Sequence, residues 1–73
     1  MHDDTAHLVK MANEISFFFR MRPEEQAIAG TADHIRKFWD PRMRAAIVAH
    51  LERGGEGLDE TVMRAVERLK QLV

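Results

Sequence analysis

The proline at position 41 draws the first boundary that any fold of this chain must respect. In "KFWDPRMR", residues 37–44, its ring clashes with a helical conformation of the preceding residue, so Asp40 is pushed into extended backbone. An extended Asp40 can cap a new helix by accepting from the free amides of its first turn. Proline suits the first helical position, because the amide it lacks would have had no partner there. Two helices therefore meet through essentially one residue, with Trp39 at the elbow.

Apolar spacing extends this corner into an all-α reading with about four short helices, over 5–20, 23–39, 41–53 and 60–72. In the first, capped by Asp4 or Thr5, Leu8, Met11, Ala12, Ile15, Phe18 and Phe19 fall within about 120° of arc and form a core stripe. The run "SFFFR" is its oddest stretch, since three consecutive phenylalanines fan across roughly 200° and no single core can receive all three. By phase, Phe17 is the ring left over.

The second helix opens at Pro23 with Glu24 and Glu25 at the positive end of its dipole. Its stripe is Ala27, Ile28, Thr31, Ala32, Ile35, Phe38 and Trp39. The apolar phase runs through Gly30 without a slip, which favours one helix with a weak point there. Met43, Ile47 and Leu51 turn inward from the third helix, which "RGGEG" ends because glycine takes the left-handed conformation at little cost. Asp59 caps the fourth helix, Leu58 staples onto Met63, Glu60 pairs with Arg64, and Val62, Ala65, Val66, Leu69 and Leu72 face in.

At 73 residues the chain is expected to be one small helical domain, 1–73. A core of that size supplies only about 3–5 kcal/mol net. With no cysteine, disulfides and thiolate metal sites are excluded, and a partner chain is the remaining common support. The 11 basic and 12 acidic residues nearly balance, unlike a nucleic-acid binder held by bulk charge. From Arg20 to Arg44 six bases (Arg20, Arg22, Arg36, Lys37, Arg42, Arg44) face four acids (Glu24, Glu25, Asp33, Asp40), a net of +2 that reads as a docking rim. No signal peptide or bilayer-spanning run is expected, which makes the cytoplasm the expected location.

Signs of chemistry are few. His2, His7, His34 and His50 sit on different segments without the i, i+4 spacing of helical metal sites, and are expected to be partly buried, hydrogen-bonded side chains. Ser16, the one serine, lies inside a helix rather than on a nucleophile elbow, and "GGEG" lacks the lysine and spacing of a phosphate loop. The chain reads as non-enzymatic. Trp39 either caps the core or anchors an interface, where tryptophan and arginine are the usual hot spots.

The runs "LVKMANEISFFF", "AGTADHIRKFWDPRMRAAIVAHL" and "GGEGLDETVMRAVERL" together resemble the small delta subunit of the cytoplasmic NAD-dependent molybdenum formate dehydrogenases. The likeness covers about Leu8 to Leu69, and "DHIRKFWDPRMR" is its most specific part. The resemblance implies a non-catalytic accessory subunit. In that family formate is oxidised at a molybdenum–pterin cofactor in the large alpha subunit. Electrons then pass through iron–sulfur clusters to FMN in the beta subunit, within a complex that also has a gamma subunit. The delta subunit binds none of these groups and supports assembly, stability or molybdenum-cofactor insertion. It brings no catalytic residues to carry over. Resemblance and side-chain character together assign partner contact to Phe17, His34, Arg36, Lys37, Phe38, Trp39, Asp40, Arg42 and Arg44. Neither nucleic acid nor membrane is an expected partner. Two other readings stay open: a free-standing homodimeric helical module, and a small DNA-binding regulator built on the tight corner between helices two and three.

Overall fold

The computed structural model of the chain describes residues 4–71, which form four helices and no strand. They are α1 (Thr5–Phe18), α2 (Glu24–Phe38), α3 (Pro41–Glu52) and α4 (Glu60–Gln71). His2 and Leu72 lie outside the described residues. Each helix keeps close to its expected span, and the differences have local causes.

The corner at Pro41 forms as the sequence dictates. Asp40 is extended (φ −75°, ψ 168°), its Oδ1 accepts from the Met43 amide at 2.9 Å, and Pro41 opens α3. Trp39 is extended as well (ψ 140°), so the elbow takes two residues rather than one. Pro23 acts differently. It stands just outside α2 as the N-cap residue, with ψ 149°, and Glu24 and Glu25 fill the first turn. Since the residue before a proline avoids helical backbone, α1 must stop short of Arg22. It ends at Phe18, two residues before its expected limit, and the chain continues through tight i→i−3 bonds from Phe19 to Ser16 (3.0 Å) and from Arg22 to Phe19 (3.0 Å). Asp4 holds the N-cap position of α1 without a side-chain cap bond.

At the far end of α3, Gly54 (φ 117°) and Gly55 (φ 68°) fold back over the last turn. The Gly54 amide donates to the Leu51 carbonyl (3.0 Å) and the Gly55 amide to His50 (2.9 Å), a Schellman stop that occupies carbonyls α3 would leave unpaired. Leu58 and Met63 both pack into the core beside this turn, as a hydrophobic staple at the start of α4 requires.

α4 joins the bundle together, packing on α2 most extensively, then on α3 and α1. Leu8 and Ala12 of α1, Ile35 of α2, Trp39, Ile47 of α3 and Val62, Val66 and Leu69 of α4 make one core, and Ile28, Ala32 and Ala65 a tight seam between α2 and α4. Salt bridges clasp the seam from outside, Arg68 to Glu25 (2.5 Å) and Arg64 to Glu24 (3.9 Å), while Arg64 also pairs with Glu60 of its own helix (2.8 Å). Lys70 ties α4 to Glu52 of α3 at 3.1 Å.

α1 is rolled relative to its expected stripe. Its buried line is Leu8, Ala12 and Ser16, with Met11 and Ile15 only partly covered. At 100° per residue that line lies about 60° from the centre of the apolar stripe, and Phe18 then falls about 120° from it. Phe18 is accordingly exposed rather than buried, which corrects its assignment to the core. Phe38 is also exposed and not part of the α2 stripe. The ring behind it, Trp39, reaches the core instead.

Candidate functional site

Three phenylalanine rings stand largely in solvent: Phe17 at 61 %, Phe18 at 76 % and Phe38 at 71 % exposure. A phenylalanine side chain presents about 150–250 Å², so rings this open leave several hundred Å² of apolar surface uncovered. Where such rings lie together, the apolar surface they leave open marks an interaction site. Met21, at the end of the same "FFFRM" run, is exposed too.

Phe18 lines one face, and Phe38 adjoins it through His34. A groove of 400 Å³ runs between α1 and the end of α2, lined by Met11, Ile15, Phe18, Phe19, His34 and Trp39, with Glu14 at its edge. Phe18 meets Phe19 edge-on, ring centres 5.3 Å apart, and Phe38 leans on His34 at 4.7 Å. The pairing follows from helical spacing, since His34 and Phe38 are one turn apart on α2. Trp39 itself is 4 % exposed and belongs to the core. Of its two expected roles, the structure gives it the core one: it lines the groove without standing out as an anchor.

Phe17 lies apart from this groove. Its ring sits under the Arg20 guanidinium, 3.7 Å from carbon to ring centre, and Arg20 also donates to the Phe17 carbonyl at 2.8 Å. Phe17 is thus the leftover ring that phase predicts, partly covered by its own neighbour.

The basic residues are less available than their number suggests. Arg36 and Lys37 both bind Asp33, at 2.7 and 3.0 Å, and their hydrogen bonds, Arg36 first, hold the Asp33 carboxyl below its ordinary value of 3.8. Arg44 turns its Nη1 onto the carbonyls of Arg36 and Trp39 at the end of α2. Asp40 is occupied as the α3 cap. Arg42 is exposed and makes no ion pair among the described residues. The expected contact residues therefore divide. His34 and Phe38 join the ring face with Trp39 behind them, whereas Arg36 and Lys37 lie to its side and Asp40 and Arg44 build the corner.

A second polar cluster escaped the sequence reading. Ser16 is buried, and the single proton of its hydroxyl is shared between Asp59 Oδ2 at 2.7 Å and the Asn13 carbonyl at 3.0 Å. Asn13 completes the link, donating to the Gly57 carbonyl (2.8 Å) and accepting from the Asp59 amide (3.0 Å). Among the described residues no histidine is bonded to Ser16, and the cluster serves as a latch between α1 and the start of α4. His50, half-buried, has Nε2 2.7 Å from the Glu56 carbonyl, whereas His7 is exposed, unlike the partly buried histidine expected. Among the described residues, no three histidine or carboxylate side chains gather as a metal would need, and no helix is long and apolar enough to cross a membrane.

The family model described as NADH-dependent formate dehydrogenase delta subunit FdsD matches residues 7–66. No curated protein and no solved structure matches the chain.

Proposed function

This chain belongs to the delta subunit family of NADH-dependent formate dehydrogenases, and we propose that it serves such a complex as a non-catalytic subunit docked on the large alpha subunit. The molybdenum–pterin cofactor, iron–sulfur clusters and FMN belong to the partner subunits, and this chain holds none of them. Its work is to support assembly, stability or molybdenum-cofactor insertion, in the cytoplasm with the rest of the complex.

The observation that carries this reading is the ring face: Phe18 and Phe38 are more than two-thirds exposed, Phe18 on the wall of a largely apolar groove and Phe38 against His34, which lines it. A small chain gains nothing for its own fold from rings held in water, and a partner surface that covers them removes that cost. The partly engaged bases suit the same role. Arg36 and Lys37 already share Asp33, so they form a rim that orients a partner more than a track for phosphates. A subunit that binds only the assembled state stabilises it by RT ln(1+[L]/Kd), about 2.7 kcal/mol at a hundredfold excess over Kd.

Deleting the chain and measuring both complex integrity and molybdenum content tests the proposal. An intact complex with empty molybdenum sites assigns it to cofactor insertion. A dissociating complex with filled sites assigns it to stability. A complex that stays whole, loaded and heat-stable without it refutes the proposal. Phe18→Glu separately tests the face: it should abolish co-purification with the alpha subunit while leaving the helices folded.

A further inference from the structure

α3 has a second face. Ile47, Met43 and Leu51 turn to the core, but Ala45, Val48 and Ala49 line an open groove of 620 Å³ on another side. Pro41, Arg44, Ala45, Val48, Ala49 and Glu52 follow the i, i+3, i+4, i+7, i+8, i+11 spacing of a continuous helical stripe. At 100° per residue its centre lies about 130° round the helix from Ile47. The stripe runs the length of a 12-residue helix, about 18 Å. Ala45 and Ala49 keep it shallow enough for another helix to approach at the usual 8–10 Å between axes, a number set by side-chain size at the contact (about 8 Å for small ones).

Charge distinguishes the two ends. Glu52 pairs with Lys70 at 3.1 Å, and Arg36 shares Asp33 (2.7 Å) with Lys37 (3.0 Å). Arg44 has no carboxylate partner among the described residues; one of its nitrogens bonds backbone carbonyls, and the guanidinium keeps further donors. The groove thus combines an apolar floor with Arg44, a cation that no carboxylate meets among the described residues, near Pro41.

We propose that this groove receives an amphipathic helix from another subunit of the complex, its apolar face against Ala45, Val48 and Ala49 and a carboxylate on Arg44. The inference rests on the reading of this chain as a docked subunit, but it uses a different surface. His34 of the ring face and Arg36 of this groove point about 200° apart on α2, so both faces can be filled at once and the chain bridges two partner segments. A second copy is the weaker occupant. In an antiparallel pair of α3 helices Glu52 would have to serve both Arg44 and the Lys70 it already holds, whereas a separate helix can bring a carboxylate of its own.

The test uses the assembled complex. A photo-crosslinking amino acid replaces Ala49 in one preparation and Phe18 in another, and Ala45→Glu and Ala45→Lys are compared for retention in the complex. Ala45 is exposed, so both variants keep the helix, which circular dichroism checks. The Ala49 probe should label a helical segment of another subunit that carries Asp or Glu, distinct from the segment reached from position 18. Ala45→Glu should weaken retention roughly tenfold more than Ala45→Lys, since equal bulk is added with opposite charge beside Arg44. Silence at Ala49 with labelling at Phe18 overturns the second face and leaves the docking reading standing. Labelling at Ala49 with silence at Phe18 leaves the second face and the docking standing and overturns the ring face as a contact surface. Labelling of a second copy of this chain, or equal loss in both Ala45 variants, also overturns the proposal.

Discussion

The ring of Phe19 occupies the space that a side chain at Gly30 would fill: a Cβ there would sit 2.7 Å from the ring's Cε1 and 2.9 Å from Cδ1. Gly30 stays helical and has no left-handed backbone to justify it. Its role is to let α1's last ring close against α2. Gly30→Ala should therefore lose its usual helix gain of about 1 kcal/mol to the clash and lower stability by about 1 kcal/mol net. In a Phe19→Ala background the same change should stabilise by about 1 kcal/mol. Thermal melts of the four proteins in the cycle measure the coupling, and additivity would show that the two residues do not meet.

The latch between Ser16 and Asp59 joins residues 43 positions apart. Ser16→Ala removes the hydroxyl but leaves the Asp59 carboxylate in place, and should cost about 1–2 kcal/mol. Asn13→Ala, which removes both the bond to Gly57 and that from Asp59, should cost a similar amount. Denaturant titration reads both. A loss in the Ser16→Ala, Asp59→Ala double variant equal to the sum of the single losses would disprove the link.

These pairs mark how far the sequence can be read. The corner at Asp40 and Pro41 was legible because its causes are local: a ring clash with the preceding residue and a carboxylate three residues from the amide it caps. The helix spans were legible for the same reason. The roll of α1 was not. Apolar spacing centres it near Met11 and Ile15, yet the buried line runs through Ser16, whose partner lies at the start of α4. No local pattern shows a serine being drawn inward by a distant carboxylate. Phe18 was assigned to the core for want of that roll, so the residues expected at a partner surface included His34 and Phe38 but not the exposed ring of Phe18. Gly30 looked like a weak point for want of the Phe19 ring that fills it.

Acid should loosen the end of α2 in a definite direction. The hydrogen bonds from Arg36 and then Lys37 depress the Asp33 carboxyl below its ordinary 3.8. The folded state thus binds that proton more weakly than the unfolded chain, so the pairs contribute stability fully above 3.8 and lose it as pH falls through the lower folded value. The stability difference between the native chain and Asp33→Asn should be constant at neutral pH and shrink towards acid. A difference that widened on acidification would reverse the sign of the linkage.

Thr31 carries a cost that the fold does not recover. Its side chain is fully buried at the centre of α2, and Oγ1 meets no hydrogen-bond partner among the described residues. Valine has the same shape without the hydroxyl, and its preferred rotamer suits a helix. Thr31→Val should raise stability by about 1 kcal/mol. A loss on calorimetry would mean that the hydroxyl is bonded within the native state.

Trp39 and Phe38 are chain neighbours with opposite fates, and their variants separate folding from docking. Trp39 is 4 % exposed in the main core, whereas Phe38 is 71 % exposed against His34. Removing a buried indole costs about 3–5 kcal/mol, which equals the roughly 3–5 kcal/mol that a core of this size supplies. Trp39→Ala should accordingly unfold the isolated chain. Phe38→Glu removes no core contact and should change stability by less than about 0.5 kcal/mol. Its effect should appear in the complex instead, as loss of co-purification with the alpha subunit. Circular dichroism of the two isolated variants, followed by pull-down of Phe38→Glu, distinguishes the cases. If Phe38→Glu folds and still co-purifies at the native level, the ring face is not the surface through which this subunit is held.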